Sequence, residues 1–209
     1  MRIAKEGYSL ILPAGALTIL AFVMGWQGAG MVLGLATLAI TAFFRDPERN
    51  IPTGEGLIVS PADGRVVKIA EVTSDSSFGD TPTRVSIFLS PLDVHINRMP
   101  VAGKVDEVRY RAGKFLAAYK DEASERNEQN ALRIVDKDGR SLGVVQIAGV
   151  VARRIVCRVK PGDRLARGDR FGLIMFGSRT DTYLPRGCRV QVVEGQKVKG
   201  GETILGSFL

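Results

Sequence analysis

The chain is poor in the residues that build metal centres and disulfide frameworks: it has one histidine, His95, and two cysteines, Cys157 and Cys188. The cysteines stand far apart with no C-x-x-C spacing. One imidazole and two separated thiols make neither a structural zinc site nor a disulfide framework, so no metal is expected and a reducing compartment is the simplest home. Charge is also missing over a long stretch, since no charged residue lies between Gly7 and Phe44. One membrane span takes about 20 residues, and Gly25-Trp26-Gln27-Gly28 divides this run into Tyr8 to Met24 and Ala29 to Phe44. Residues 1–44 therefore read as a hydrophobic helical hairpin. Each arm reaches roughly 25 Å at about 1.5 Å per residue, so the hairpin either crosses the bilayer or enters it as a shallow re-entrant element. A cleaved signal peptide fits less well: Ala14-Gly15-Ala16 has the small residues of a cleavage site, but more apolar sequence follows it.

What is present fills out the rest. With 209 residues the chain can bury a real core, which suits one domain plus an appendage. Its 29 Lys and Arg against 22 Asp and Glu, a net charge of +7, would suit nucleic acid and an anionic membrane surface equally. The apolar hairpin decides for the membrane, and no nucleic-acid partner is expected. Cations flank both ends of the hairpin, Arg2 and Lys5 before it and Arg45 and Arg49 after it. The positive-inside rule then puts both ends, and the remainder of the protein, on the cytoplasmic side of the cell membrane.

Residues 45–56, RDPERNIPTGEG, are charged and rich in Pro and Gly and read as a linker. From 57 to 209 short apolar runs alternate with turn signals about every ten residues, including Val85 to Leu89, Val144 to Val151, Ile155 to Val159 and Phe171 to Phe176. That pattern predicts a mainly β domain of sandwich or barrel type. Asp138-Gly139 marks a hairpin between Leu132–Ile134 and Val144–Gln146, and Lys114 to Asn127 is the one helical candidate outside the N-terminal hairpin. Gly162-x-x-Leu165-x-x-Gly168-Asp169-x-Phe171 recurs 33 residues later as Gly195-x-x-Val198-x-x-Gly201-Glu202-x-Ile204. Together with Ser60 to Val66 this repeat resembles the barrel-sandwich architecture of biotinyl and lipoyl carriers, its glycines serving the tight corners.

Three segments have the residue types of a reactive site. Ser90 to Pro100 holds the only histidine in a loop fixed by two prolines, with Asp93 and Arg98 beside the imidazole. Ser60-Pro61-Ala62-Asp63-Gly64 has the composition of an ordinary β-turn. Phe171 to Asp181 runs an apolar strand into Gly177-Ser178, which differs from the hydrolase elbow G-x-S-x-G. Asp, His and Ser make an orienting acid, a base and a nucleophile if the fold assembles them. Arg154, Arg158 and Lys160 alternate with Ile155, Cys157 and Val159, which suits a lipid-facing cationic strand face or a plain solvated one.

Taken jointly, FFRDPER (43–49), SPADGRV (60–66), FLSPLDVHINRMP (88–100), NE (127–128) and FGLIMFGSRTDTYLP (171–185) resemble the phosphatidylserine decarboxylase proenzyme family, in its short prokaryotic branch. The resemblance covers nearly the whole chain. It implies self-cleavage between Gly177 and Ser178 into a β chain (1–177) and an α chain (178–209) that stay together. Ser178 would attack the Gly177 carbonyl and end as a covalent pyruvoyl group, with no diffusible cofactor and no metal. His95 would be the general base and acid, and Asp63 would orient it. The implied reaction is decarboxylation of a membrane phospholipid amine, phosphatidylserine or an ether-linked analogue, through a Schiff base. Arg179, Arg154 and Arg158 are candidates for the substrate's anionic groups. Many relatives carry a second histidine where this chain has Arg98, and L-G-S-T where it has Phe176 to Arg179. One imidazole therefore serves self-cleavage, decarboxylation or both. The oligomeric state stays open, a homo-oligomer included. Rival readings are a non-enzymatic barrel-sandwich carrier or membrane adaptor, without an acceptor lysine at the hairpin tip, and a phosphocarrier using His95, without a paired active histidine.

Overall fold

The uncharged N-terminal run folds on itself. A computed structural model describes residues 2–72, 78–116, 118, 122–150, 154–175 and 177–209, and the chain divides into two compact units, Met1–Glu48 and Arg49–Leu209. In the first unit, a short strand β1 (Arg2–Ile3) pairs antiparallel with β2 (Arg45–Asp46), closing the base of a hairpin of α1 (Tyr8–Val23) and α2 (Gln27–Phe43). Gly25, at φ 76°, makes the turn. The Thr18 and Thr37 hydroxyls each donate to a carbonyl one turn back, Ala14 and Leu33, and meet each other at 3.2 Å. This satisfies both polar groups inside the hairpin and ties its arms together. Leu12, Ile19, Leu35 and Leu38 stay exposed on the outside. Lys5–Val23 is long and apolar enough to cross a membrane, and Gln27–Phe43 is apolar but shorter.

The second unit is mainly β. Its strands are β3 (Leu57–Val59), β4 (Gly64–Glu71), β5 (Thr83–Leu89), β6 (Ile96–Arg98), β7 (Gly103–Arg111), β8 (Gln129–Val135), β9 (Ser141–Ile147), β10 (Ile155–Cys157), β11 (Arg164–Leu165), β12 (Arg170–Ile174), β13 (Ser178–Leu184), β14 (Cys188–Val190), β15 (Lys197–Val198) and β16 (Ile204–Phe208). Eight form one sheet in the order β11-β7-β8-β9-β13-β5-β4-β15, and two three-stranded sheets, β10-β12-β6 and β14-β16-β3, complete it. Alternation along the strands decides which face is buried. Val85, Ile87 and Leu89 of β5, Leu132 and Ile134 of β8 and Val144 of β9 point to one face, where they meet Phe171 of β12, Ile58 of β3 and Leu205 of β16 in the main core. On the opposite face Val145 and Ile147 pack with Phe78 and Ala123. The expectation of a mainly β fold with an apolar N-terminal helical hairpin is met.

The strand order is symmetric about the β9–β13 pair, and so are its irregularities. The β4–β5 register shifts between Val66 and Lys68, and the β7–β8 register between Val105 and Glu107. Lys197 pairs with Arg65 at one sheet edge as Arg164 pairs with Lys104 at the other. The β12–β6 register shifts between Arg170 and Gly172, and the β16–β3 register between Ile204 and Gly206. The unit is thus two copies of one seven-stranded motif, β6 to β12 being inserted between β5 and β13 of the other copy. The glycine repeat is its trace in the sequence: Gly162, Gly168, Gly195 and Gly201 all take positive φ at equivalent corners.

The stretch expected as a linker is bonded near both ends, Arg45 and Asp46 within β2 and the carbonyls of Pro52 and Gly54 by Arg167. The helix expected over Lys114 to Asn127 does not form as one element. Lys114 and Asn127 pair in a β-bridge, and within this stretch only α3 (Ala123–Arg126) is helical among the described residues. The Asn127 side chain competes for the backbone, accepting from Leu116 N at 2.9 Å and donating to Leu116 O at 2.8 Å. Residues 117 and 119–121 of that expectation, and Val151 and Phe176 of the expected strands, lie outside the described residues.

A buried polar row crosses the core. Asn130, Gln146 and Thr180 lie side by side on β8, β9 and β13, and Asn97 of β6 reaches them from the facing sheet. Asn130 Nδ2 donates to Gln146 Oε1 at 3.0 Å, Gln146 Nε2 to Asn97 Oδ1 at 2.9 Å, and Asn97 Nδ2 to Thr180 Oγ1 at 3.3 Å. Gln146→Leu removes the central member and orphans an amide on each side, which should cost about 2–4 kcal/mol. Thermal unfolding of the variant beside wild type measures it, and an unchanged midpoint would show that the row is not what joins the sheets.

Candidate active site

Ser178 is the first residue of β13 and its side chain is fully buried. It pairs with Leu89 at the end of β5, the two positions between which the second copy of the motif is inserted. In that other copy the same place is a tight hairpin, with Asp136 N donating to Arg140 O at 3.0 Å. The chain therefore leaves the first copy just after Leu89 and returns just before Ser178. Alternation puts Ser178, Thr180 and Thr182 on the core face of β13, and Arg179, Asp181 and Tyr183 on the other. The Ser178 hydroxyl is buried with no hydrogen-bond partner among the described residues. An unsatisfied buried hydroxyl costs free energy, and such groups collect where a site has another use for them.

The peptide before it is held open. Gly177 has φ 58°, in the left-handed region, and nothing lies near the position of an added Cβ. Its carbonyl lies against Gly149, where any Cβ would overlap the Gly177 oxygen. Gly149 follows Ala148, whose carbonyl accepts from Asn127 Nδ2 at 2.7 Å and whose N–H donates to Glu128 O at 2.9 Å. The Asn127-Glu128 pair thus fixes the wall against which the Gly177 carbonyl rests.

His95 reaches the same end of the core. Its carbonyl accepts from Ile174 N at 3.3 Å, and Ile174 packs on Ala148, the residue after Ile147, which pairs with Arg179 next to Ser178. Asn97, two residues on from His95, bonds to Thr180, two residues on from Ser178. The ring is 2% exposed, and its Nδ1 lies 2.9 Å from the Asp93 carbonyl. A carbonyl only accepts, so Nδ1 carries the proton in the neutral ring and Nε2 the lone pair. The Asp93 carboxylate in turn accepts from the N–H and hydroxyl of Ser90 at 2.8 and 2.7 Å, which fixes the loop between β5 and β6.

Asp63, expected to orient His95, lies against Arg49 and Gly200. Its carboxylate accepts two bonds from Arg49 Nη2, at 2.9 and 2.8 Å, and one from Gly200 N at 2.8 Å. The bond that orients the imidazole comes from the Asp93 main chain. Asp63 remains electrostatically close: burial raises its pKa first of all, the Arg49 charge works against that, and the Asp93 charge adds to it. Arg179 is 1% exposed and faces away from Ser178, its guanidinium donating to Asp181 at 2.7 and 2.8 Å and to Ser124. Arg154 is exposed beside the site, its carbonyl accepting from Met175 N at 3.1 Å, while Arg158 follows β10 and its N–H donates to Phe171 O. The fold thus brings Ser178, Gly177 and His95 to one end of the core, leaves Asp63 within reach of the Asp93 charge, and turns Arg179 to the other face. Arg49, Asn127 and Gly149 were not among the expected site residues. The first two lie in motifs that carried the resemblance, whereas Gly149 has no signal in one sequence. Among the described residues no group of three or more His, Cys, Asp or Glu is placed to hold a metal ion.

The structure is a β-rich domain with an apolar N-terminal hairpin, whose buried Ser178 lies where the chain crosses between two copies of one motif. The family model of phosphatidylserine decarboxylase matches residues 36–206. Proteins named phosphatidylserine decarboxylase proenzyme are 56% identical in Gluconobacter oxydans, over 85% of this chain and 82% of the relative, and 46% identical in Syntrophus aciditrophicus, over 99% and 97%. A third, from Cereibacter sphaeroides, is 50% identical over 98% and 89%. The chain belongs to the phosphatidylserine decarboxylase family, and with it to the carboxy-lyases.

The raised pKa of Asp63 has a stability consequence. A carboxyl that holds its proton more tightly folded than unfolded contributes stability at low pH, and loses it as pH climbs from about 3.8 through the raised value. The melting temperature of wild type relative to Asp63→Asn should therefore fall between pH 4 and pH 7. A rise over that interval would mean that Arg49, not burial, governs the group.

Proposed function

We propose that the protein decarboxylates phosphatidylserine to phosphatidylethanolamine with a pyruvoyl group made from its own Ser178. Family membership supports the reaction, and the buried Ser178 hydroxyl, without a hydrogen-bond partner among the described residues and beside a left-handed Gly177, supports the origin of the group. The Ser178 hydroxyl attacks the Gly177 carbonyl carbon, passing its proton to His95 Nε2, and the proton returns to the nitrogen released as the amide becomes an ester. Elimination across Cα and Cβ of residue 178 frees chain 1–177 with a carboxylate on Gly177. Hydrolysis then releases ammonia and leaves the ketone at the head of chain 178–209. In that form the group supplies an electrophile for the lipid amine and an electron sink when carbon dioxide leaves. His95, the only imidazole, delivers the proton that replaces carbon dioxide on the product. Asp63 and Arg49 set the charge around it, and Arg154 is the exposed cation offered to the lipid's anionic groups. Arg179 holds β13 in place through Asp181 and Ser124. The two chains stay together because β13 is bonded to both β5 and β9.

The hairpin tethers this chemistry to a cell membrane, with the catalytic unit on the cytoplasmic side, where a bilayer-bound substrate is at high effective concentration. A chain beginning at Arg45 should be recovered soluble and still cut itself. If it still required detergent, the apolar hairpin would not be what holds the protein to the membrane.

Intact mass spectrometry tests the processing. Wild type should appear as two fragments meeting at Gly177 and Ser178, with a blocked small chain, while Ser178→Ala stays whole. Loss of the base in His95→Ala should slow cutting about 10²- to 10⁴-fold, and Gly149→Ala, which displaces the Gly177 carbonyl, should also accumulate uncut chain. A wild-type protein that remains one chain with an ordinary serine would overturn the proposal.

A further inference from the structure

The duplicated fold contains its site region twice. A cleft of about 500 Å³ lies among the 54–57 loop, the 101–103 turn, the 136–140 hairpin and the 164–167 edge. Its backbone repeats that of the candidate active site. Phe208 N donates to Gly56 O as Ile174 N donates to His95 O, so Gly56 stands where the other copy has His95. Asp136 bonds Arg140 as Leu89 pairs with Ser178, so Arg140 stands for Ser178. Leu165 pairs with Gly103 as Val198 pairs with Gly64, so Ala102, before Gly103, stands for Asp63, and Arg164 stands for Lys197. The imidazole is gone, the hydroxyl is a guanidinium and the carboxyl is a methyl group. The second cleft has lost the reactive groups and kept the enclosure.

Its charge has shifted to positive. Lys137, Arg140, Arg164 and Arg167 line it against two acids, Glu55 and Asp136. Asp136 is committed to Arg140 at 2.7 Å and to the N–H groups of the hairpin at 2.9 Å. Arg140 is further fixed by the Asp138 carboxylate at 2.5 Å and over the Phe208 ring, 3.7 Å from its centroid, and Arg167 is turned to the carbonyls of Pro52, Gly54 and Leu57. Glu55 meets Lys137 at 2.8 Å in a pair so exposed that water competes for both groups. Arg164 is exposed, and no ion pair or hydrogen bond of its side chain is found among the described residues. The uncommitted guanidinium of Arg164 and the exchangeable ammonium of Lys137 beside a cavity are the donors that a phosphate oxyanion uses.

We propose that this cleft is a second, non-catalytic binding site for a phosphate group, either free or as the phosphodiester of an anionic phospholipid. Its kinship with the catalytic cleft rests on the reading of His95, Asp63 and Ser178 as one site, whereas its cavity and charge stand without that reading. The full chain in uncharged detergent is titrated calorimetrically with dihexanoyl-phosphatidylglycerol and, separately, with inorganic phosphate. Wild type should bind the lipid or both probes, and the double variant Lys137→Ala, Arg164→Ala should bind at least tenfold more weakly while releasing carbon dioxide from phosphatidylserine at the wild-type kcat. Binding of the lipid alone identifies a head-group site, and equal binding of both identifies a site for phosphate itself. No binding of either probe by wild type, or equal binding by the variant, overturns the proposal. His95→Ala serves as the control that separates the two readings: it should lose decarboxylation and keep the binding, so a failure of the catalytic assignment would appear in that variant and not in the double one.

Discussion

Strand β13 is hydrogen-bonded along its length on both sides, to β5 by seven residues and to β9 by five. Its first residue is Ser178, so the register of this one central strand fixes where the hydroxyl lies, which way it faces and what can approach it. A slip of one residue would carry Ser178 to the outer face and Arg179 into the core. The buried ion pair of Arg179 with Asp181 opposes that slip, because both charges would move together into the apolar core, away from Ser124, to which both are bonded. The polar row of Asn130, Gln146, Thr180 and Asn97 adds the same constraint from the core side, since its bonds close only in one register.

The position of the site follows from how the two copies of the motif are joined. A duplicated fold in which one copy is inserted in the other needs a crossing point, and here it lies at Leu89 and Ser178, where the sister copy has an ordinary hairpin. The exit loop contributes His95, and the returning segment contributes Gly177. At this junction a left-handed glycine, Gly177, directly precedes the buried Ser178 hydroxyl. The sister position shows the alternative: Asp136 and Arg140 simply close the turn and pair with each other.

The sequence by itself determined the composition-driven features. An uncharged run from Gly7 to Phe44 with a glycine-rich break has few outcomes other than an apolar hairpin, and alternating short runs bounded by Gly and Pro have few outcomes other than β-strands. The joint motifs were specific enough to point to the family, and Ser178 and His95 could be named because the residue types are rare or special in their setting. Only the tertiary structure decided the rest. The duplication was legible in one glycine repeat but not in extent, because strand equivalence lies in register and bulges more than in identical residues. Lys114 to Asn127 has good helix propensity, yet a long-range bond of the Asn127 amide to Ala148 O holds the segment otherwise, and propensity carries no knowledge of partners distant in sequence. Hydrogen bonds depend on directions in space that one sequence does not carry, and the fold brings Arg49 and Gly200 to Asp63 and the Asp93 carbonyl to His95. Arg179, adjacent to Ser178 in the chain, faces the opposite way because successive side chains of a strand alternate, and burial of its charge required Asp181 on the same face.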